Sequence, residues 1–227
     1  IAAKMKESRA DLGIVVDPDV DRLALISENG EMFGEEYTLV AVADYVLKHT
    51  PGNTVSNLSS SRALKDVTEA YGQQYHAAAV GEVNGVAEMK RTHSVIGGEG
   101  NGGVIYPESH YGRDALVGVG LFLSHYVAQS KKMTELKSTY PPYFISKNKM
   151  TLSPDMDVDK ILEGLKERYA TEKVTDIDGV KIDFAQGWVH LRKSNTEPII
   201  RIYSEAKDEA AANQLAEEVI AAAKSTL

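Results

Sequence analysis

The strand and helix signals of this chain change character once, near residue 130, and that change constrains the fold more than any other feature. Before it, short apolar runs alternate with helical spacing. Residues 12–17 (Leu-Gly-Ile-Val-Val-Asp) form a continuous apolar run ending in a carboxylate, the pattern of a strand buried on both faces. Residues 23–27 read as a second strand, closed by the turn pair Asn29-Gly30. Leu39, Val42, Ala43, Val46 and Leu47 fall at helical spacing, and Pro51-Gly52 stops that helix. Strand signals at 54–58, 74–77, 95–96 and 104–106 then alternate with helix signals. The helices are a segment opened by Ser60 or Ser61 and carrying Leu64 and Val67, a short one over 83–91, and one marked by Leu116, Val119, Leu123 and Val127. Such alternation argues an α/β layer architecture.

After the change, Tyr140-Pro141-Pro142 and Ser153-Pro154 frame a stretch that reads as a linker. Val158, Ile161, Leu162 and Leu165 mark a helix. Residues 180–184 and 188–192 read as a hairpin turning at Gln186-Gly187, 199–203 as a further strand, and Asp208 as the cap of a last helix. Strands with helices segregated at the ends predict a small α+β domain. Two domains suit a chain of 227 residues.

Composition removes several function classes. There is no cysteine, which excludes disulfide scaffolds, thiolate zinc sites and thiol catalysis. The longest uncharged apolar run, 115–123, is far short of the roughly 20 residues of a membrane span. No secretory leader opens the sequence, and a cytoplasmic location is expected. The net charge is −8, spread over both halves, so the basic footprint of a nucleic-acid binder is missing. The first residue is Ile1 rather than Met, as in a processed chain or a piece of a longer one.

Three loops carry chemistry. In Asp17-Pro18-Asp19-Val20-Asp21-Arg22, carboxylates alternate directly after a strand; side chains at i, i+2 and i+4 share a side in extended backbone. Hard oxygen donors so placed suit Mg²⁺ or Ca²⁺. An EF-hand is excluded, because Arg22 stands where its tight turn needs Gly. A solvated acidic turn has the same spacing. Next comes Gly97-Gly98-Glu99-Gly100-Asn101-Gly102-Gly103, whose glycines admit close approach and whose Glu99 and Asn101 are groups that bind sugar hydroxyls. A plain mobile loop is the alternative. The third is Arg192-Lys193-Ser194-Asn195-Thr196-Glu197-Pro198 with Arg201 beyond: two guanidiniums, hydroxyls and an amide, which suit a phosphate dianion. Surface arginines around an Asn/Ser turn would look the same. The histidines show no ligand spacing and read as surface or packing residues.

Taken in order, the three loops resemble those of the α-D-phosphohexomutase superfamily, which comprises phosphoglucomutases, phosphomannomutases and phosphoglucosamine mutases. The family's metal loop is usually Asp-Gly-Asp-Gly-Asp-Arg; here Pro18 and Val20 replace its glycines. Gly98–Gly102 matches the sugar loop, with Asn101 where Ser is common and Gly103 where many members carry His. The resemblance implies a mixed-sheet α/β domain followed by a smaller α+β C-terminal domain. Residues 1–35 would end the second family domain, 36–140 would be the third and 145–227 the fourth. It implies Mg²⁺ on Asp17, Asp19 and Asp21, with Arg22 stabilising the phosphoryl group. Glu99 and Asn101 would bind the sugar, and Arg192, Ser194, Asn195, Thr196 and Arg201 the phosphate. It further implies a two-step phosphoryl exchange between sugar 1- and 6-phosphates through a phosphoserine. No segment like the family's serine motif is present, so the chain alone is expected to be inactive, its partners being a hexose or hexosamine phosphate and the N-terminal domains of the same protein. Glu82 stands in a loop that distinguishes subgroups, and a carboxylate there favours an amino sugar. Phosphoglucomutase or phosphomannomutase activity, or a non-catalytic sugar-phosphate binding module, are the alternatives.

Overall fold

The structure is a computed structural model that describes residues 1–153, 156–194 and 197–225. It divides into two compact units, Ile1–Pro141 and Pro142–Leu227.

The first unit opens with a short helix, α1 (Ala2–Ser8), and an antiparallel hairpin of β1 (Leu12–Val16) and β2 (Leu23–Ser27). Val16 pairs with Leu23, so the Asp-rich segment is the connection at the hairpin tip. Burial of β1 on both faces does not hold: Ile14 and Val16 are 41% and 37% exposed. The reason is topological, because β1 pairs with β2 alone in a two-stranded sheet.

Helix α2 (Glu35–His49) carries Glu35 and Glu36 at its positive end and Lys48 and His49 at its negative end, as the helix dipole favours. The main sheet contains β3 (Thr54–Asn57), β4 (Tyr75–Ala78), β5 (Ile96–Glu99) and β6 (Gly103–Ile105), in the order β4-β3-β5-β6. The first three are parallel and β6 is antiparallel to β5, so the sheet is mixed. Helices α3 (Ala63–Ala70), α4 (Glu82–Thr92) and α5 (Ala115–Gln129) link or follow these strands, and α6 (Met133–Lys137) comes last. Helix α3 is capped by Arg62 without a side-chain hydrogen bond, and Ser61, one residue earlier, accepts from Ala63 N through Oγ at 3.1 Å. His125 is a packing histidine. It lies 1% exposed on α5, with Nε2 2.7 Å from the Tyr140 hydroxyl, and Tyr140 in turn donates to Asp44. Asn57 and Glu99 are the last residues of parallel strands β3 and β5. Ligands of open parallel sheets collect at that edge.

The second unit is an antiparallel five-stranded sheet of β7 (Phe144–Thr151), β8 (Lys173–Thr175), β9 (Val180–Phe184), β10 (Gly187–Lys193) and β11 (Ile199–Ala206), ordered β7-β11-β10-β9-β8. Helices α7 (Val158–Arg168) and α8 (Glu209–Lys224) are capped by the side chains of Asp157 and Asp208. One sheet face contributes Val180, Ile182, Val189, Leu191, Ile200 and Ile202 to a core shared with Ile161, Leu165, Leu215 and Val219 of the helices. The two-residue period of strands then sends Arg192, Arg201 and Tyr203 to the opposite face. The stretch read as a linker is an eight-residue strand, β7, which pairs with β11 from Phe144↔Ala206 to Thr151↔Ile199. Pro154 lies outside the described residues.

Candidate functional site

In the first unit, the connection between β1 and β2 folds on its own carboxylates. Val20 N donates to Asp17 O at 3.0 Å, closing a turn. Asp17 Oδ1 accepts from the N–H groups of Asp21 and Arg22 at 3.2 Å each, and Oδ2 accepts from Arg22 Nε at 2.7 Å. Partial burial pulls the Asp17 carboxyl upward, but these hydrogen bonds together outweigh it and hold it at about 2. Val20 sits at φ +56°, a backbone region that a β-branched residue rarely enters. Its Cβ gains little there, since the residue is 37% exposed. Val20→Gly is expected to raise the stability of this unit by about 1 kcal/mol, the relieved strain exceeding the entropy that glycine adds to the unfolded chain. A higher urea midpoint would show it; a lower one would mean that the valine side chain holds the turn.

The glycine-rich loop is built in, not mobile. Residues 97–100 are all buried. Gly100 N donates to Ser60 Oγ at 2.9 Å, and a Cβ at Gly100 would lie 2.0 Å from Glu36 Oε2. Glu99, 6% exposed, is held from all sides: Asn57 Nδ2 and Gly81 N donate to Oε1 at 3.1 and 3.3 Å, and Arg113 Nη1 and Asn101 Nδ2 donate to Oε2 at 2.5 and 3.3 Å. Asn101 is exposed and lines a cavity of about 280 Å³ together with Asp17, Arg22 and Glu35. The Asp-rich loop and the glycine loop therefore share one cavity.

The three aspartates are not gathered on one point. Among the described residues, no group of three His, Asp or Glu side chains could hold a metal ion as placed. Asp19 is exposed, Asp17 is paired with Arg22, and Asp21 Oδ2 takes Arg113 Nη2 at 2.5 Å. Close carboxylates need positive charge between them, and here guanidiniums supply it. The donor chemistry nonetheless fits Mg²⁺: all donors are carboxylate oxygens, and Asp21 Oδ1 is buried without a hydrogen-bond partner.

In the second unit, Arg192 on β10 and Arg201 on β11 are direct cross-strand partners, and Lys149 on β7 is the next partner of Arg201. Cross-strand partners share a face, so three cationic residues form a row across three strands. A cavity of about 290 Å³ is lined by Lys147, Lys149, Glu197, Arg201 and Tyr203, among others. Arg201 Nη2 donates to Glu197 Oε2 at 3.2 Å, while Arg192 Nε is buried without a hydrogen-bond partner. Ser194 is buried, its N–H donating to Ile199 O at 3.0 Å. Asn195 and Thr196 lie outside the described residues.

Two family descriptions match these units: "Phosphoglucomutase/phosphomannomutase, alpha/beta/alpha domain III" over residues 34–143, and "Phosphoglucomutase/phosphomannomutase, C-terminal domain" over residues 147–222. The chain belongs to the phosphoglucomutase/phosphomannomutase family. It is 36% identical over 216 residues to a phosphoglucomutase/phosphomannomutase of Thermococcus kodakarensis, covering 94% of this chain and 47% of that protein. It is 33% identical over 223 residues to a phosphoglucosamine/phosphogalactosamine mutase of Sulfurisphaera tokodaii, covering 96% and 49%. The fold matches the crystal structure of a phosphoglucomutase/phosphomannomutase family protein from Burkholderia thailandensis with a TM-score of 0.85 at 23% identity, over all of this chain and 49% of that one. The chain spans about half the length of the curated relatives it matches.

As a phosphoglucomutase/phosphomannomutase family member, the chain combines features that sequence reading found with others that it missed. Arg113, Asn57 and Lys149 carried no motif. Arg113 stands just before α5, far in sequence from each carboxylate it binds, and Lys149 lies in the strand taken for a linker.

Proposed function

We propose that this chain carries the metal, sugar and phosphate loops of a phosphohexomutase that acts on a hexosamine phosphate. The observation that carries the reading is the cross-strand row of Lys149, Arg201 and Arg192, of which Lys149 and Arg201 line a cavity of phosphate-accepting size. Paired guanidiniums bind a phosphate dianion through charge-assisted hydrogen bonds. Arg192, Ser194 and Arg201 hold the phosphate that is not reacting, and Asn195 and Thr196 complete the set. Asn101 meets sugar hydroxyls at the cavity of the first unit, with Glu99 fixing the loop behind it. Arg22 stabilises a phosphoryl group brought to the Asp17 loop. Asp17, Asp19 and Asp21 would hold Mg²⁺, which when bound neutralises negative charge on phosphoryl oxygen. In the whole protein, the phosphoryl carrier is a serine on another domain. It passes its phosphoryl to the free sugar hydroxyl, which loses its proton, and takes back the other phosphoryl from the bisphosphate. By itself the chain binds and does not turn over.

The amino sugar is favoured because Glu82, 36% exposed and sharing the Arg113 guanidinium with Glu99, offers a carboxylate that can pair with a 2-ammonium group. Calorimetric titration with glucosamine 6-phosphate tests the reading. Arg201→Ala should weaken binding about 10- to 100-fold, since charge-assisted hydrogen bonds are worth roughly 1.5–3 kcal/mol. The side chain is 34% exposed, so folding should hardly change. Equal affinities of the parent and the variant would refute the assignment.

A further inference from the structure

We infer that Arg113 is a positioning residue that stands in for the divalent cation: it holds Asp21 in place while the cation is away and gives Asp21 up when the cation arrives. This rests on the reading that Asp17, Asp19 and Asp21 bind Mg²⁺.

The guanidinium of Arg113 spends each of its nitrogens on a different segment of the chain. Nη2 meets Asp21 Oδ2 at 2.5 Å, Nε meets Glu82 Oε2 at 2.9 Å, and Nη1 meets Glu99 Oε2 at 2.5 Å. These carboxylates come from the β1–β2 connection, the first turn of α4 and the end of β5. The side chain is 21% exposed, so the pairs are poorly screened and strong enough to order the loops.

The three partners are not held equally. Glu99 keeps hydrogen bonds from Asn57, Gly81 and Asn101 whether or not Arg113 is present. Asp21 has Arg113 on Oδ2 and a buried Oδ1 that no hydrogen bond satisfies, with Arg22 Nε 3.5 Å away. A doubly charged ion offers Asp21 more than a shared guanidinium does. Asp21 is therefore the carboxylate to be released, and Glu82 and Glu99 keep Arg113 in place for its return.

The backbone is shaped for this side chain. Arg113 is pinned by a bridge to Ile105. A Cβ on Gly103 would lie 2.5 Å from Arg113 Cδ, so the bare glycine makes the room that the arginine stem fills. Gly103 and Arg113 are a matched pair.

The test is Mg²⁺ titration by calorimetry on the whole chain, its Arg113→Met and Arg113→Lys variants, and Gly103→Ala, which displaces the stem without touching the charge. Competition predicts that Arg113→Met binds Mg²⁺ about 5- to 50-fold tighter, each tenfold being about 1.4 kcal/mol. Arg113→Lys and Gly103→Ala should bind a few-fold tighter, lysine because it lacks the fork that reaches several carboxylates. A purely structural role predicts the opposite sign, since a disordered loop binds the ion less well. Unchanged or weaker Mg²⁺ binding by folded variants, with the parent binding, overturns this inference and leaves the metal reading standing. No binding by any of the proteins overturns both. Binding by the variants alone supports both. Should Arg113→Met fail to fold, Arg113→Lys and Gly103→Ala decide by the same sign.

Discussion

Gly102→Val should destabilise the first unit by about 3–5 kcal/mol, the range of substitutions that force a strained backbone against its neighbours. Gly102 sits at φ +88°, and a Cβ there would lie 2.3 Å from the carbonyl oxygen of Leu23. That neighbour is backbone and cannot swing aside. Gly102 O also accepts from Leu23 N at 3.0 Å, the hydrogen bond that joins the glycine loop to the hairpin carrying Asp17 to Arg22. The substitution therefore pushes apart the two loops that share the cavity of Asp17, Arg22 and Asn101. Amide hydrogen exchange in α2 and β5 would report the loss, because the chain's one tryptophan, Trp188, lies in the other unit. Protection reduced by less than tenfold would mean that the loop can re-route around the new side chain. The phosphate binding proposed for Arg192 and Arg201 lies in the second unit and should survive.

The same loop shows what a sequence can and cannot convey. Seven residues rich in glycine read equally well as a mobile loop or as a close-packed one, because both need the same backbone freedom. Only burial against Glu36, Ser60 and Leu23 decides, and those partners are remote in the chain. Apolar periodicity located β2 and α2, which bury continuous or helically spaced apolar residues. At α5 it found the helix but not its buried face: Leu116, Leu123 and Val127 are exposed, and Ala115, Gly118, Phe122 and His125 are buried. It failed at β7, where Phe-Ile-Ser-Lys-Asn-Lys-Met-Thr is an edge strand with a cationic face and only Ser146 and Met150 buried. It failed at β8, whose three residues are too few for a period. Arg113 was invisible for a related reason. A residue whose partners lie on three separate segments leaves no spacing to read, whereas Arg192 and Arg201 are carried by one hairpin and could be read together.

Acidification should destabilise the second unit through one histidine. His190 lies on β10, 1% exposed, and its Nε2–H donates to the carbonyl of Asp178 at 2.6 Å. Burial outweighs that hydrogen bond and, with the positive charges of Lys181 and Arg192, holds the imidazole at about 4 against an ordinary 6.5. The unfolded chain takes up the proton near 6.5, while the folded chain refuses it until about 4. Between those values the unfolded state binds more protons, so stability is full above 6.5 and falls as the pH falls towards 4. At about 1.4 kcal/mol per pH unit, the loss reaches roughly 2–3 kcal/mol by pH 4.5. Carboxylates titrate over the same range, so the comparison that isolates the histidine is with His190→Gln, which keeps a donor for Asp178 O and loses the titration. Urea unfolding followed by the fluorescence of buried Trp188, two residues away on β10, reads this unit directly. The parent should lose about 2–3 kcal/mol more than His190→Gln between pH 7.5 and 4.5. Equal losses would mean that the folded chain protonates His190 as readily as the unfolded one does, and would overturn the prediction.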